Sequence, residues 1–323
     1  MKLGAMYEFL VKKGLEHDPR TPRQMREALG ERRKMYRGLK KRERRAYDAW
    51  SLKHPYDDTR ILYGDPATEV KTVMVGIDME APELMLADRL NQKGEGIDLV
   101  MGHHPEGRAW ASFYNVMYMQ QDIFEKFGIP LKVGKDLLKE RVGEVERRVS
   151  AANHFRSVDV ARLLHIPYMC VHTPADNHVT TYLQRLFEKK APRLLSNVLD
   201  VLLGIPEYAD GLKKGTGPHI LIGDPKRKAG KIFVDMTGGT EGPKRVFPRL
   251  SQAGVGTIVG MHLDEDHYAI AKNEHINVVI AGHIASDTLG LNLILDSLLK
   301  KEALRIIPCS GFVRVKRKEG LGR

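Results

Sequence analysis

The sequence predicts an α/β protein: two α/β lobes with mixed or parallel sheets meeting at a metal site, plus a basic helical N-terminal extension. The first observation is spacing, because apolar runs at residues 73–78 and 97–101 are separated by a helical segment. A strand–helix–strand unit of about 30 residues favours parallel pairing. The second is that several apolar runs end in histidine or aspartate, and open α/β sheets bind ligands at the carboxyl ends of their strands. The third is the length of 323 residues, which allows one large or two medium domains.

The predicted elements follow one another as helical and apolar segments. Thr21 followed by Pro22 is a typical helix start, because threonine caps the helix and proline fits its first turn. We predict helices at residues 6–15, 23–50, 82–91, 110–127, 133–149, 157–164, 180–203 and 289–300. We predict strands at residues 73–78, 97–101, 166–171, 234–237, 256–261, 277–281 and 305–316. The predicted divisions are a basic helical N-terminal extension (1–60), a first lobe with a His-His-Pro motif (61–180), a second lobe with a Gly-His motif (181–312) and a basic tail (313–323).

Positive charge is concentrated at the two ends of the chain. The formal net charge of +11 divides into +8 over residues 1–60, +4 over residues 313–323 and −1 over residues 61–312. The basic run from Arg32 to Arg45 favours a solvated helix or a subunit contact, with a dock for nucleic acid or another acidic partner as the alternative. The run contains few aromatic residues for base stacking, so we do not favour a dedicated nucleic-acid binder.

The apolar segments and the two cysteines indicate the cellular compartment in which we expect the protein. No apolar run approaches the roughly 20 residues that span a bilayer, and the first residues lack the apolar core of a signal peptide. Cys170 and Cys309 both lie in apolar, strand-like surroundings, which predicts buried free thiols. We therefore expect a cytoplasmic protein with no membrane partner.

Histidine and aspartate gather at four predicted strand ends. The four sets are His103 with His104, Asp176 with His172 and His178, His262 with His267, and His283 with Asp287. Adjacent side chains on an extended backbone point to opposite sides, so His103 and His104 can each serve a different ion. Histidine with carboxylate suits Zn, Mn, Fe or Ni, and the absence of a Cys-x-x-Cys pair argues against a closed structural zinc site. A single histidine at a strand end is usually a hydrogen-bonded polar residue, so the adjacent pair is the stronger signal.

Two further patterns have two interpretations each. Residues 98–103 and 277–283 are both apolar runs closed by Gly-His, which indicates either an internal duplication or the shared chemistry of a strand end beside a metal. The glycine-rich stretch 238–242 lacks the spacing of a P-loop or a dinucleotide fingerprint. It is able to bind an anion through backbone amides, although a tight turn before the next helix is the favoured interpretation.

These motifs, in this order, resemble those of the NIF-three-like family, which is often described as GTP cyclohydrolase I type 2. The resemblance covers roughly residues 61–300, and its most specific element is the His-His-Pro motif at 103–105. It implies a toroidal homohexamer and a centre of two divalent metal ions. The implied metal ligands are His103, His104, Asp176, His283 and Asp287. Asp287 stands where the family usually has glutamate, and Val259-Gly260-Met261 stands where it has Thr-Gly-Glu.

Five side-chain ligands shared by two ions leave positions for water and substrate, which favours hydrolysis or a related ring opening. We therefore predict a dinuclear metal-dependent hydrolase acting on a small molecule, with a nucleotide as one candidate. His172 and His267 are the acid–base candidates, although His172 fits a hydrogen-bonded residue orienting Asp176 better. The alternatives are a non-catalytic, metal-binding regulatory hexamer and, third, a protein that associates with nucleic acid through its basic N-terminus. The segment 114–119, rich in Met and Tyr, is the candidate subunit interface.

Overall fold

The computed structural model describes residues 1–317 and confirms the α/β class with two mixed sheets. The strands are β1 (Arg60–Tyr63), β2 (Thr72–Gly76), β3 (Leu99–Gly102), β4 (Tyr168–Cys170), β5 (His219–Ile222), β6 (Lys231–Asp235), β7 (Val255–Gly260), β8 (Asn277–Ile280) and β9 (Arg305–Pro308). The first sheet has the order β1-β4-β3-β2-β9, and the second has the order β5-β8-β7-β6.

The helices lie before and between the strands, singly or in runs of up to four. They are α1 (Leu3–Glu16), α2 (Pro22–Gly38), α3 (Lys41–Ala46), α4 (Ala81–Gln92), α5 (Gly107–Ala111), α6 (Gln120–Lys126), α7 (Leu131–Val149), α8 (Arg156–Leu164), α9 (Thr173–Lys190), α10 (Leu195–Leu203), α11 (Pro206–Lys213), α12 (Phe247–Gln252), α13 (Glu265–Asn273) and α14 (His283–Leu299). Short 3₁₀ segments lie at Ala49–Leu52, Phe113–Met119 and Lys244–Val246. Within residues 1–317, no helix combines the length and apolar character needed to cross a membrane.

The two sheets repeat one topology. In each, the first strand along the chain is antiparallel to the fourth, while the fourth, third and second are mutually parallel. The two Gly-His runs at 98–103 and 277–283 do not occupy equivalent places in this repeat, because one is the third strand of its sheet and the other is the fourth. Their likeness is therefore explained by the shared chemistry of strand ends and not by an internal duplication that would place them at equivalent positions.

Helices α9 and α14 follow equivalent strands, β4 and β8, and pack against each other between the sheets. Their contact is close because residue 290 is glycine: a Cβ there would lie 2.5 Å from the carbonyl oxygen of Ala175. Apolar side chains of α14 such as Leu291 and Leu295 belong to the core of the first lobe, whereas Leu289 packs in the core of the second. Helix α14 therefore joins the two lobes.

Segments from both ends of the chain contribute to the first lobe. Helix α1 is part of the first-lobe core through Leu3, Met6 and Leu10, whereas α2 has no buried side chain. The predicted cap is present, because the Thr21 hydroxyl accepts a hydrogen bond from the Gln24 amide. Strand β9 pairs with β2 of the first sheet, although it lies within residues 181–312. Of the predicted basic tail, residues 318–323 lie outside the described residues.

Candidate metal centre

Short connections after the strands position the candidate ligands. His103 and His104 follow β3 directly, and their amides donate hydrogen bonds to the carbonyl oxygen of Ile77, 3.1 and 3.0 Å away. Asp176 lies in the first turn of α9, which begins after β4. His283 opens α14 after β8, and one turn later Asp287 lies on the same face of the helix. Both lobes therefore contribute side chains to one cluster.

Asp287 lies at the centre of this cluster and is almost completely buried, with 1% of its side chain exposed. Its Oδ1 lies 3.4 Å from Nε2 of His103. Its Oδ2 lies 3.4 Å from Nε2 of His104 and 3.4 Å from Nε2 of His283. The two oxygens of one carboxylate therefore face different histidines.

Asp176 and His172 complete the side of the cluster on which His103 lies. Nε2 of His103 lies 3.4 Å from Oδ1 of Asp176, and Nε2 of His172 lies 3.7 Å from Oδ2 of the same carboxylate. Three sets of side chains bring their ligand atoms within 4.8 Å of one another. These sets are His103–His104–His172, His104–His283–Asp287 and His103–Asp176–Asp287.

Hydrogen bonds behind the cluster orient three of its histidines. Nδ1 of His103 lies 3.2 Å from the carbonyl oxygen of Val171, an atom that only accepts. Nδ1 of His104 lies 2.6 Å from Asp78, and Nδ1 of His172 lies 2.8 Å from Asp58. These contacts place the proton on Nδ1 and direct Nε2 into the cluster. Pairing of a ligating histidine with a carboxylate or carbonyl is the usual support of a metal site.

The distances and the unpartnered atoms fit metal ions. Two ligand atoms about 2.1 Å from one ion, at the tetrahedral angle, lie about 3.4 Å apart. That is the separation between Asp287 oxygens and the three facing imidazole nitrogens, and it is longer than a good hydrogen bond. Both oxygens of Asp287 and Nε2 of His103 are buried without a hydrogen-bond partner among the described residues. Such atoms are costly to bury unpaired, and a cation satisfies all three.

Opposite charges shift the pKa values within the cluster. Burial alone would raise the pKa of Asp287, but His103 and the neighbouring histidines hold it well below its usual range. Burial alone would lower the pKa of His104, but contacts with Asp287 and Asp78 raise it to about 9. Burial lowers the pKa of His283, despite the nearby Asp287 charge. The environment of Asp287 therefore favours positive charge, which protons or metal ions supply in competition.

A cavity of about 70 Å³ lies beside the cluster and is lined by His283, Asp287 and the glycine-rich turn at 238–242. His262 also lines it, with Nδ1 2.7 Å from Oε1 of Glu241 and its ring centroid 4.9 Å from that of His283. Asp235 lines the same cavity, and burial raises its pKa to about 6. The cavity thus places one histidine–glutamate pair and one further carboxyl group next to the cluster.

The structure brings together all five side chains that the sequence nominated as ligands, and it adds His172 to them. His267, the second acid–base candidate, lies apart and is 1% exposed. Its ring nitrogens lie 2.6 Å from Asp264 and 2.9 Å from the carbonyl oxygen of Gly242, so neither is free to meet a ligand. His178 also lies outside the cluster and stacks on His17, with ring centroids 3.9 Å apart.

Sequence reasoning missed the two supporting carboxylates. Asp78 lies two residues after the end of strand β2, so its place at a carboxyl end was a signal that could have found it. Asp58 precedes β1, and the start of an antiparallel edge strand lies at the same edge as the ends of the parallel strands. The position of Asp58 at this edge can therefore be recognised only once the direction of β1 in the sheet is known.

Neither a scan against protein-family models nor a search of curated proteins found a match. Among solved structures, a NIF3 superfamily protein from Sphaerobacter thermophilus aligns with a TM-score of 0.69 and 27% identity, covering 79% of this chain and 92% of that chain. Reduced HcgD from Methanocaldococcus jannaschii aligns with a TM-score of 0.49 and 14% identity, covering 77% of this chain and 87% of that one. TTHA1606 from Thermus thermophilus aligns with a TM-score of 0.46 and 13% identity, over 80% and 91% of the two chains.

The fold and the site together define a class: a two-lobed α/β protein with a partly buried histidine–aspartate cluster at the carboxyl ends of its strands. The match to the Sphaerobacter thermophilus structure extends over 92% of that chain, so the two proteins share both lobes of the fold. The chain is similar in fold and sequence to this NIF3 superfamily protein, which confirms the resemblance carried by the His-His-Pro motif.

Proposed function

We propose that this chain is a dinuclear metal-dependent hydrolase acting on a small molecule. One observation carries the proposal: the two oxygens of buried Asp287 face different histidines, at the distance expected of ligands that share an ion. A carboxylate arranged in this way would hold two ions if both were bound, one through each oxygen. A structural site for a single ion does not require that arrangement.

The donor set divides into two groups around Asp287. His104 and His283 are on the Oδ2 side, whereas His103, Asp176 and His172 are on the Oδ1 side. Nitrogen and carboxylate donors of this kind suit Zn, Fe, Mn or Ni. Two such divalent ions would supply Lewis-acid activation of water and of the attacked carbonyl or phosphoryl group.

The remaining residues of the cavity hold and orient what binds beside the cluster. Glu241 fixes Nδ1 of His262, which leaves Nε2 of that ring to exchange a proton with a group in the cavity. Glu241 and His262 belong to different segments, the glycine-rich turn and the loop after β7. A movement of the turn at 238–242 would therefore change both the space and the hydrogen bonding at the cluster.

The size of the cavity limits the substrate. Pockets for drug-sized ligands have volumes of about 300–1,000 Å³. The volume beside the cluster is about 70 Å³, which suits a few water molecules or a very small substrate. A nucleotide, as in GTP cyclohydrolase-like chemistry, would require displacement of the glycine-rich turn. The same observation favours the second candidate function, a non-catalytic metal-binding or regulatory protein.

Metal analysis followed by an activity screen tests the proposal. We expect two equivalents of metal per chain in the purified protein and none in the His103→Ala/His283→Ala variant. The matched control is His219→Ala, because His219 is an exposed histidine of β5, outside the cluster. Fewer than two equivalents in a fully loaded protein would contradict a dinuclear centre.

The activity screen separates the two candidate functions. A hydrolase loses turnover in Asp176→Asn while keeping its fold by circular dichroism. A metal-loaded protein that hydrolyses no nucleotide, phosphoester or amide in a broad panel is instead the non-catalytic candidate. Analytical ultracentrifugation of the same samples tests the homohexamer. Tyr118, 44% exposed within the segment 114–119, is the side chain that we propose for the subunit contact.

A further inference from the structure

A second and much larger cavity opens between the α1–α2 connection, α6, α9 and strand β6. Its volume is about 1270 Å³, and none of its lining residues lines the cavity beside the metal cluster. We call it the basic groove and define it by its six basic side chains. They are Arg20, Lys126, Arg185, Arg193, Lys228 and Lys231.

The positive charge of the basic groove is not balanced locally. Its acidic side chains are Asp18 and Glu188, and Asp18 is bound by Arg20 through two hydrogen bonds of 2.9 and 2.7 Å. The other basic side chains have no carboxylate within 4.0 Å in the part of the chain that the structure describes. Five of the six lie within residues 61–312, whose net charge is −1, so the concentration is a product of folding.

A buried hydroxyl group in the basic groove also has no partner. Thr180 lies on α9 and is 4% exposed, and its Oγ1 has no hydrogen-bond partner among the described residues. This oxygen atom is itself closed to solvent, so it lies beneath the surface of the groove and is not counted among the groups that contact a ligand.

We propose that the basic groove binds a ligand that carries several phosphate groups in a chain, such as a nucleoside triphosphate. The two guanidinium groups that are not bound to a carboxylate, those of Arg185 and Arg193, match phosphate with paired hydrogen bonds, and the lysines add point charges. The volume exceeds the about 1,000 Å³ of a large small-molecule pocket, so a ligand of nucleotide size has room. The proposal does not depend on the function proposed for the metal cluster.

Fluorescence anisotropy of the full, metal-containing chain with a fluorescently labelled nucleoside triphosphate tests the proposal. The groove variant is Arg185→Glu/Lys231→Glu. The matched control is Arg89→Glu/Lys93→Glu, which reverses two exposed charges of α4 and its C-cap, outside the groove. We expect affinity for the probe to fall at least tenfold in the groove variant and to stay within twofold in the control. Circular dichroism checks that both variants are folded.

Competitors and a cluster variant identify what is recognised and where. Inorganic tripolyphosphate is expected to displace the probe, and citrate, a polyanion without phosphate, is expected to compete at least tenfold less well. His104→Ala is expected to keep the binding. Equal affinity of the groove and control variants would overturn the proposal, as would loss of binding in His104→Ala alone. Competition by citrate equal to that by tripolyphosphate would exclude phosphate recognition. A groove variant that changes the sedimenting mass and shows no loss of probe binding would instead make the groove a subunit contact.

Discussion

The close contact of α9 with α14 leads to a sharp prediction about Gly290. A Cβ at this position would lie 2.5 Å from the carbonyl oxygen and 2.9 Å from the carbonyl carbon of Ala175, both backbone atoms of the facing helix. Gly290→Ala therefore forces the two helices apart by a few tenths of an ångström or more. Asp176 and Asp287 lie on these helices, one residue after Ala175 and three residues before Gly290. The substitution thus changes both the packing of the two helices and the distance between Asp176 and Asp287 in the histidine–aspartate cluster.

A second glycine provides the matched control and the magnitude. Gly30 lies within the exposed helix α2, and a Cβ there would meet nothing within 4 Å. Replacing glycine by alanine in a helix stabilises it by about 1 kcal/mol, so Gly30→Ala is expected to raise the free energy of unfolding by about that amount. Gly290→Ala has the same helix-propensity gain, together with an overpacking cost of about 1–3 kcal/mol. The difference between the two variants is therefore the overpacking cost alone.

Denaturant unfolding of the two variants measures this difference, and metal analysis reports on the cluster. We expect Gly290→Ala to be less stable than Gly30→Ala by about 1–3 kcal/mol and to bind its metal more weakly. Equal stabilisation by both substitutions would refute the reasoning, because it would mean that α9 and α14 separate at no cost. Unchanged metal affinity together with the expected destabilisation would show that the cluster tolerates the displacement.

Three further predictions concern side chains in or near the core. Asp58→Asn removes the carboxylate behind His172 and is expected to weaken metal binding by about 10–100-fold in a chelator competition; unchanged affinity would contradict its supporting role. Burial lowers the pKa of His178 to about 3, so the unfolded chain, with its ordinary pKa near 6.5, takes up the proton first. This contribution to stability is complete above pH 6.5 and is lost as the pH falls toward 3, and His178→Gln is expected to flatten that part of the unfolding free energy profile; an unchanged slope would refute it. Burial raises the pKa of Cys170 to about 12, so a thiol reagent is expected to label half-buried Cys309 first. Mass spectrometry of the labelled protein measures the order, and faster labelling of Cys170 would contradict the structure.

Local sequence was sufficient for the residue types of the candidate site. His103 and His104 at the end of one apolar run, and His283 with Asp287 at the end of another, are contained in short stretches of chain. Strands end where apolar residues give way to polar ones, so short windows encode both the strand end and the chemistry it presents. The same windows could not separate His172 from His267. Only the fold turns His172 toward the cluster and His267 toward Asp264 and Gly242.

Sheet membership and boundaries depended on contacts between distant segments. Strand β9 joins β2 across more than two hundred residues, and α1 packs in the first-lobe core. The predicted helix over 110–127 is three short segments, because a 3₁₀ segment at Phe113–Met119 separates α5 from α6. The helix and strand propensities of a short stretch of sequence do not predict which distant segments pair. The stability of such pairings comes from surface that is buried against other parts of the chain.

By itself, the sequence determined the α/β class, the strand ends that carry histidine and aspartate, and the family resemblance through the His-His-Pro motif. The tertiary structure alone decided that Asp287 lies between the histidines of both lobes, and that Asp58 and Asp78 support the cluster. It also brought together in one groove six basic side chains that are far apart in the sequence, the first being Arg20 and the last Lys231. The physical reason is range: residue chemistry and periodicity are local properties, whereas burial, shared ligands and unbalanced charge arise only when distant segments meet.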